Sequence, residues 1–147
     1  MTTPRYATDT KVSVSSSQAE LRKLFGKYGI TSFGFAEQPG GAMLAFQAGG
    51  YSHRIFMPVR GEDDGAFAYA GTRRRDAKGR RAAAAQEERA RWRALVLMVK
   101  AKLEYAAILS QSVESAFIEY RILASGRTVQ EEITQTGVTP ALTWSNP

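Results

Sequence analysis

The residues best suited to chemistry in this 147-residue chain are basic side chains between positions 73 and 93. This basic segment holds nine Lys or Arg residues and only three acidic residues. Such groups neutralise phosphates and release their counterions, so the cluster is typical of a nucleic-acid contact surface. A solvated loop leading into the polar first turns of a helix has the same composition, and both interpretations stay open. The candidate phosphate-binding residues are Arg73, Arg74, Arg75, Lys78, Arg80 and Arg81.

Aromatic residues could add base stacking to these charges. Tyr51, Arg54 and Phe56 fall in a predicted strand and are candidates for a sheet surface on which bases stack. Stacking contributes about 1–3 kcal/mol per base in single-strand binders. Trp92 lies inside the basic segment, but it also begins the apolar stripe of a predicted helix. That position favours a role in the core.

The chain lacks the residues that most catalytic sites require. It has no Cys, which excludes thiol nucleophiles, disulfides and thiolate metal sites. His53 is the only histidine, and a sheet-surface or half-buried structural role fits it better than catalysis or zinc binding. Metal binding or an enzymatic role would rest mainly on Glu62, Asp63 and Asp64, which a flexible acidic turn explains more simply. No phosphate-binding glycine motif is present, so nothing indicates a nucleotide cofactor. Taken together, these observations predict no catalytic residues, no metal and no cofactor.

The first part of the chain predicts a short helix followed by a three-stranded antiparallel meander. Alternating Val12 and Val14 indicate a short first strand or an extended lead-in. Ser17 and Glu20 have capping-box spacing, and apolar residues at helical spacing then predict a helix over 18–28. Turns rich in glycine separate three strand-like segments. These predicted strands span 30–36, 42–48 and 51–59.

The second part of the chain predicts helices. Good helix formers with one apolar face indicate a long helix over about 82–109. A further helix is expected over 113–123, and Thr128 and Glu131 have the capping-box spacing for a short one. Residues 61–81 are expected to form an exposed, mobile basic loop. The apolar face of the long helix consists of Trp92, Leu95, Val96, Val99, Leu103 and Ala106.

The predicted element order is therefore β-α-β-β-β-α-α-α. This is an α+β fold in which the meander packs against the long helix. We expect a single domain over 1–137 and a tail over 138–147. The longest wholly apolar run, 94–99, is far shorter than the roughly 20 residues of a membrane span. No signal peptide is expected at the N-terminus, so the predicted location is the cytoplasm.

Several stretches resemble a family of small proteins encoded by phages and prophages of high-GC bacteria. They are RWRAL from Arg91, VKAKLE from Val99 and GRTV from Gly126, and the resemblance extends over about 10–135. It implies a phage protein in the cytoplasm of a bacterial host, acting in DNA metabolism or against host defence. It implies no residue roles. The β-β-β-α order is also similar, in topology only, to phage single-strand annealing proteins.

Three functions follow as hypotheses. The first is a non-enzymatic nucleic-acid-binding protein, favouring single-stranded DNA and forming a homo-oligomer, as an accessory in phage DNA metabolism. The second is a protein that binds and inhibits a host defence complex. The third is a virion or assembly component whose long helix pairs with copies of itself.

Overall fold

The computed structural model describes residues 7–137 and has the predicted α+β architecture. A helix precedes a three-stranded antiparallel sheet, and a long helix and short helices follow it. The helices are α1 (Val14–Lys27), α2 (Ala77–Ile108), α3 (Val113–Ala116) and α4 (Val129–Thr136). The strands are β1 (Phe33–Gln38), β2 (Gly41–Ala48), β3 (Tyr51–Pro58), β4 (Tyr69–Ala70) and β5 (Arg73–Arg74). Single 3₁₀ turns occur at Gly65–Phe67 and Ile118–Tyr120.

Strands β1, β2 and β3 form the meander in sequence order, with Phe33 opposite Phe46 and Phe46 opposite His53. The Gly49-Gly50 turn has positive φ at both residues, which suits a two-residue hairpin loop. Strand residues alternate between a buried and an open face, as period-two patterning requires. Strand β1 begins later than predicted, because Ile30 is buried just after α1 rather than in the sheet.

Helix α2 covers the buried face of this sheet together with α1. All six predicted face residues of α2 are buried, so its apolar periodicity is confirmed. The ring of Trp92 packs edge-on against Phe35, with centroids 5.7 Å apart. The helix begins earlier than predicted, at Ala77, because Asp76 caps it by accepting a 2.7 Å hydrogen bond from the Gly79 amide. Lys78, Arg80 and Arg81 thus belong to the helix and not to the preceding loop.

Other element boundaries correct the sequence predictions. Residues 7–13 contain no strand, and Ser13 rather than Ser17 caps α1, leaving Ser17 buried within the helix. The helix predicted over 113–123 ends at Ala116 and is followed by the 3₁₀ turn at Ile118–Tyr120. The amide of Ile122 then donates to the Ser52 carbonyl of β3.

The capping box of α4 is confirmed. The Thr128 side chain accepts from the Glu131 amide, and the Glu131 carboxylate accepts from the Thr128 amide. The predicted tail over 138–147 lies outside the described residues. Over 7–137, no helix is both long enough and apolar enough to cross a membrane.

The first prediction concerns the core. Replacing Trp92 by Ala should lower the free energy of unfolding by about 3–5 kcal/mol, because a large side chain that is only 1% exposed leaves a cavity. The same truncation at Tyr69, which is 56% exposed, should cost under about 0.5 kcal/mol. Urea denaturation of both variants measures the difference. Equal losses would place Trp92 outside the core.

Candidate nucleic-acid interface

A small β-hairpin stands where the sequence predicted a mobile loop. Tyr69 pairs with Arg74 and Ala70 pairs with Arg73 across a two-residue turn. Gly71 in that turn has φ +62°, a value that suits glycine at the first position of a hairpin turn. Phe67, which is buried, anchors the base of the hairpin.

Two of the six predicted phosphate-binding residues hold this hairpin to α2. The Arg75 guanidinium donates to the carbonyl of Tyr69 at 3.0 Å and lies 3.4 Å from that of Phe67. The Arg80 guanidinium donates to the Arg75 carbonyl at 3.2 Å. Both side chains are partly buried and have structural partners, which reduces what they can offer to a ligand.

The other four predicted residues are exposed, and their side chains have no hydrogen-bond or ion-pair partner within the described chain. They lie on the hairpin strand β5 and on the first two turns of α2. The positive end of the helix dipole lies at the same place. The structure therefore concentrates free positive charge at one end of a long helix. These four residues, the free cations, are Arg73, Arg74, Lys78 and Arg81.

The arginines in the later part of the basic segment are bound to neighbouring groups of the protein. Arg89 donates to the Gln86 side chain, and Arg93 pairs with Glu20 of α1 at 2.6 Å. Arg91 pairs with Glu87 at 2.6 Å and also donates to the Pro58 carbonyl. These contacts join α2 to α1 and to the end of β3.

Glu87 lies at the centre of this arrangement. It accepts a 2.8 Å hydrogen bond from Arg60 and pairs with Arg91 on its own helix. The hydrogen bond from Arg60 holds the pKa of the Glu87 carboxyl below its usual value, and the charge of Arg91 acts in the same direction against the effect of partial burial. We call Arg60, Glu87 and Arg91 the Glu87 bracket.

Tyr51, Arg54 and Phe56 do not form one stacking surface. Side chains alternate between the two faces along β3, so Arg54 and Phe56 lie on the open face of the sheet. Tyr51 lies on the other face, the one that packs on the core. The guanidinium of Arg121 lies 3.7 Å from the Tyr51 ring centroid and so occupies one face of that ring, although Tyr51 is still 47% exposed. Arg54 donates one hydrogen bond to the Gly126 carbonyl and one to the Glu131 carboxylate of α4, both at 3.0 Å. Only Phe56, 42% exposed, has an accessible ring without a charged partner.

Tyr69 is an aromatic residue of this site that was not among the residues predicted from the sequence. Its side chain is 56% exposed, and it pairs directly across the hairpin from Arg74. The available signal was its position two residues after Phe67 and just before the Gly71 turn, which is the spacing of a short strand. The hairpin thus brings one accessible aromatic ring beside the free cations.

His53 is fully buried, which corrects the prediction of a sheet-surface or half-buried residue. Its ring stacks on Phe46 with centroids 4.8 Å apart and an interplanar angle of 8°. The segment around Arg121 bridges to the edge of β3 at this residue and completes its burial. Neither ring nitrogen makes a hydrogen bond of good geometry within the described residues. The environment is that of a core residue.

Burial lowers the pKa of His53, and the charge of Arg121 lowers it further. Backbone groups of Glu114, Tyr51 and Phe46 oppose this shift. The folded protein therefore disfavours the charged imidazolium more than the unfolded chain does.

One residue of the acidic turn at 62–64, Asp64, has a structural role. Asp64 accepts a 2.9 Å hydrogen bond from the Ala66 amide and so caps the 3₁₀ turn that leads to Phe67. Within residues 7–137, no three His, Asp or Glu side chains come together in a way that could hold a metal ion.

Comparison with known proteins finds no matching family model and no similar curated protein or solved structure. The site is therefore interpreted from its own geometry.

The second prediction concerns acid stability. Because the pKa of His53 is lower in the folded state, the unfolded chain binds the extra proton as pH falls below about 6.5. The free energy of unfolding should therefore decrease on acidification from about pH 8 to about pH 5, and this loss should be smaller in His53→Gln. Urea midpoints of both proteins across this range measure it. An identical pH dependence in the two proteins would contradict the assignment.

Proposed function

We propose that this protein binds single-stranded nucleic acid through the β4–β5 hairpin and the first turns of α2. One observation carries the proposal: four exposed cations without partners lie beside an exposed tyrosine at one end of the long helix. In this role the free cations contact phosphates and Tyr69 stacks on a base.

The chemistry of these residues fits a single strand better than a duplex. Arginine guanidinium groups bind phosphate through two parallel hydrogen bonds, and Lys78 adds a point charge. An exposed aromatic ring stacks on bases that are themselves unstacked, which a single strand offers and a duplex does not. Tyr69 therefore supports the preference for a single strand.

Charges around the site restrict where phosphates can lie. Arg81 lines a groove between α2 and the end of the sheet, together with Glu37, Glu62 and Glu88. These carboxylates repel phosphates. Arg60 also lines the groove, but its charge is already paired with Glu87. The backbone of a bound strand should therefore follow the hairpin and the outer turn of α2, and not enter the groove.

The site is held in a fixed position before any ligand binds. Arg75 and Arg80 tie the hairpin to the helix through backbone carbonyls. The Glu87 bracket ties the same part of α2 to the end of β3. Little conformational ordering is then needed on binding, which favours affinity.

The proposed biological role is an accessory in phage DNA metabolism that coats or anneals single strands. This proposed role follows from the proposed binding activity together with the resemblance to phage and prophage proteins. It requires no catalytic group, metal or cofactor.

The third prediction tests the cations. For single strands the slope of log affinity against log salt is about −0.7 per phosphate contact, so four cations give a slope near −3. Replacing Arg73 and Arg74 by Gln should weaken binding and make the slope shallower by about 1.4, because two phosphate contacts are lost. Fluorescence anisotropy of a labelled oligothymidylate, and of its RNA counterpart, measures both values at several salt concentrations.

The matched control replaces Lys11 and Lys23 by Gln. Both lysine side chains are exposed and lack partners within the described residues. Because each variant removes two positive charges, this control has the same net charge as the double arginine variant. It should leave the slope unchanged. Equal effects of the two variants would show that only net charge matters and would overturn the assigned site.

The fourth prediction tests stacking. Tyr69→Ala should lower single-strand affinity about tenfold, in line with about 1–3 kcal/mol per stacked base, while Tyr69→Phe should retain it. Duplex affinity should change far less, because paired bases leave no face for the ring. The anisotropy titrations of both variants against single strand and duplex provide the comparison. Loss of the same size on both substrates would rule out stacking.

A further inference from the structure

The second half of α2 carries an apolar surface that the core does not use. Tyr105 is 61% exposed, Ile108 is 80% exposed and Leu109 is 56% exposed. Ala94 and Ala101 are also exposed, and Leu97 is half-buried. We call Ala94, Leu97, Ala101, Tyr105 and Ile108 the outer strip of α2.

The outer strip follows helical geometry. Its members are spaced by three or four residues, which places them on one face of a helix that turns about 100° per residue. On the same geometry, the buried residues from Trp92 to Ala106 lie on the opposite face. Helix α2 thus has two apolar faces in this region, one packed on the sheet and one open to solvent.

A pair of opposite charges borders the outer strip. Lys100 and Glu104 are both exposed, lie four residues apart and fall on the same side of the strip. In an antiparallel pair of identical helices, the same sides meet. Lys100 of one copy then faces Glu104 of the other, and the reverse holds by symmetry.

The charge pair and the apolar residues specify nearly the same centre. The midpoint between Lys100 and Glu104 is position 102, and the outer strip extends from 94 to 108, with its midpoint at 101. A two-fold axis near Ala101 therefore satisfies the charges and overlays the apolar residues together. A small residue at the centre allows the two helices to approach closely.

We propose that two copies of this chain associate through the outer strip of α2 as an antiparallel two-fold dimer. Its exposed apolar residues and its flanking charges are each matched by those of a second copy turned by 180°, as a two-fold interface requires. A second copy explains why large apolar side chains lie exposed on this face.

This dimer does not rest on the proposed nucleic-acid site, but it would arrange two such sites. Position 78 lies 24 residues from position 102, about 36 Å along the helix axis. The free cations of the two copies would therefore lie at opposite ends, about 70 Å apart.

A cysteine scan tests the axis directly, because the chain has no native cysteine. Ala101→Cys should form a disulfide-linked dimer under mild oxidation, since the two copies of this residue meet at the axis. Ala94→Cys should not, because its two copies would be about 22 Å apart along the helices. Equal cross-linking at the two positions, or none at Ala101→Cys, would overturn the antiparallel dimer.

Charge reversal tests the register by sedimentation equilibrium of the full chain. Lys100→Glu should raise the dissociation constant at least tenfold, and adding Glu104→Lys should restore it, because the swapped charges again face each other. Ala101→Glu should also disrupt the dimer, while Ala19→Glu, an exposed alanine of α1, should not. A wild-type chain that stays monomeric at millimolar concentration, or a dimer indifferent to Ala101→Glu, would overturn the proposal.

Discussion

The burial of one face of α2 between Trp92 and Ala106 determines how the sheet and α1 pack and where the basic segment lies. The helix has 32 residues and is about 48 Å long, whereas an eight-residue strand of the sheet it covers spans about 26 Å. Because the buried stretch lies towards its C-terminal end, the first turns must extend past the sheet. This geometry separates a part of α2 that belongs to the core from a part that presents charge.

The Glu87 bracket and the hairpin support the part of α2 that the core does not reach. Alanines and charged side chains dominate that part, so ion pairs and carbonyl contacts add to the limited apolar packing that Phe67 provides. The same contacts divide a uniform run of basic residues into two sets. Arg75 and Arg80 are bound to backbone carbonyls, and their neighbours are left free. The function we propose is a consequence of this division.

Local signals in the sequence predicted much of this fold. The spacing from Trp92 to Ala106 predicted which side of α2 is buried, and Thr128 with Glu131 predicted the start of α4, since both patterns act within a few residues. The predicted N-cap of α1, Ser17, was wrong because a run of serines offers several equivalent N-cap residues. The β4–β5 hairpin was missed because two-residue strands carry too little pattern. Strand alternation could have separated Tyr51 from its two neighbours, whereas the roles of the arginines depend on carbonyls brought near by folding.

Locating the contact on the chain would test the proposed nucleic-acid site. A single strand that carries 5-bromouracil can be cross-linked to the protein with ultraviolet light, and the modified peptides identified by mass spectrometry after trypsin digestion. Cleavage at Arg54, Arg60 and Arg73 places Tyr69, Phe56 and Tyr51 on three separate peptides. We expect the cross-link to fall on the peptide 61–73. A cross-link confined to the peptides 28–54 or 55–60 would place the nucleic acid on the sheet and contradict the proposed site.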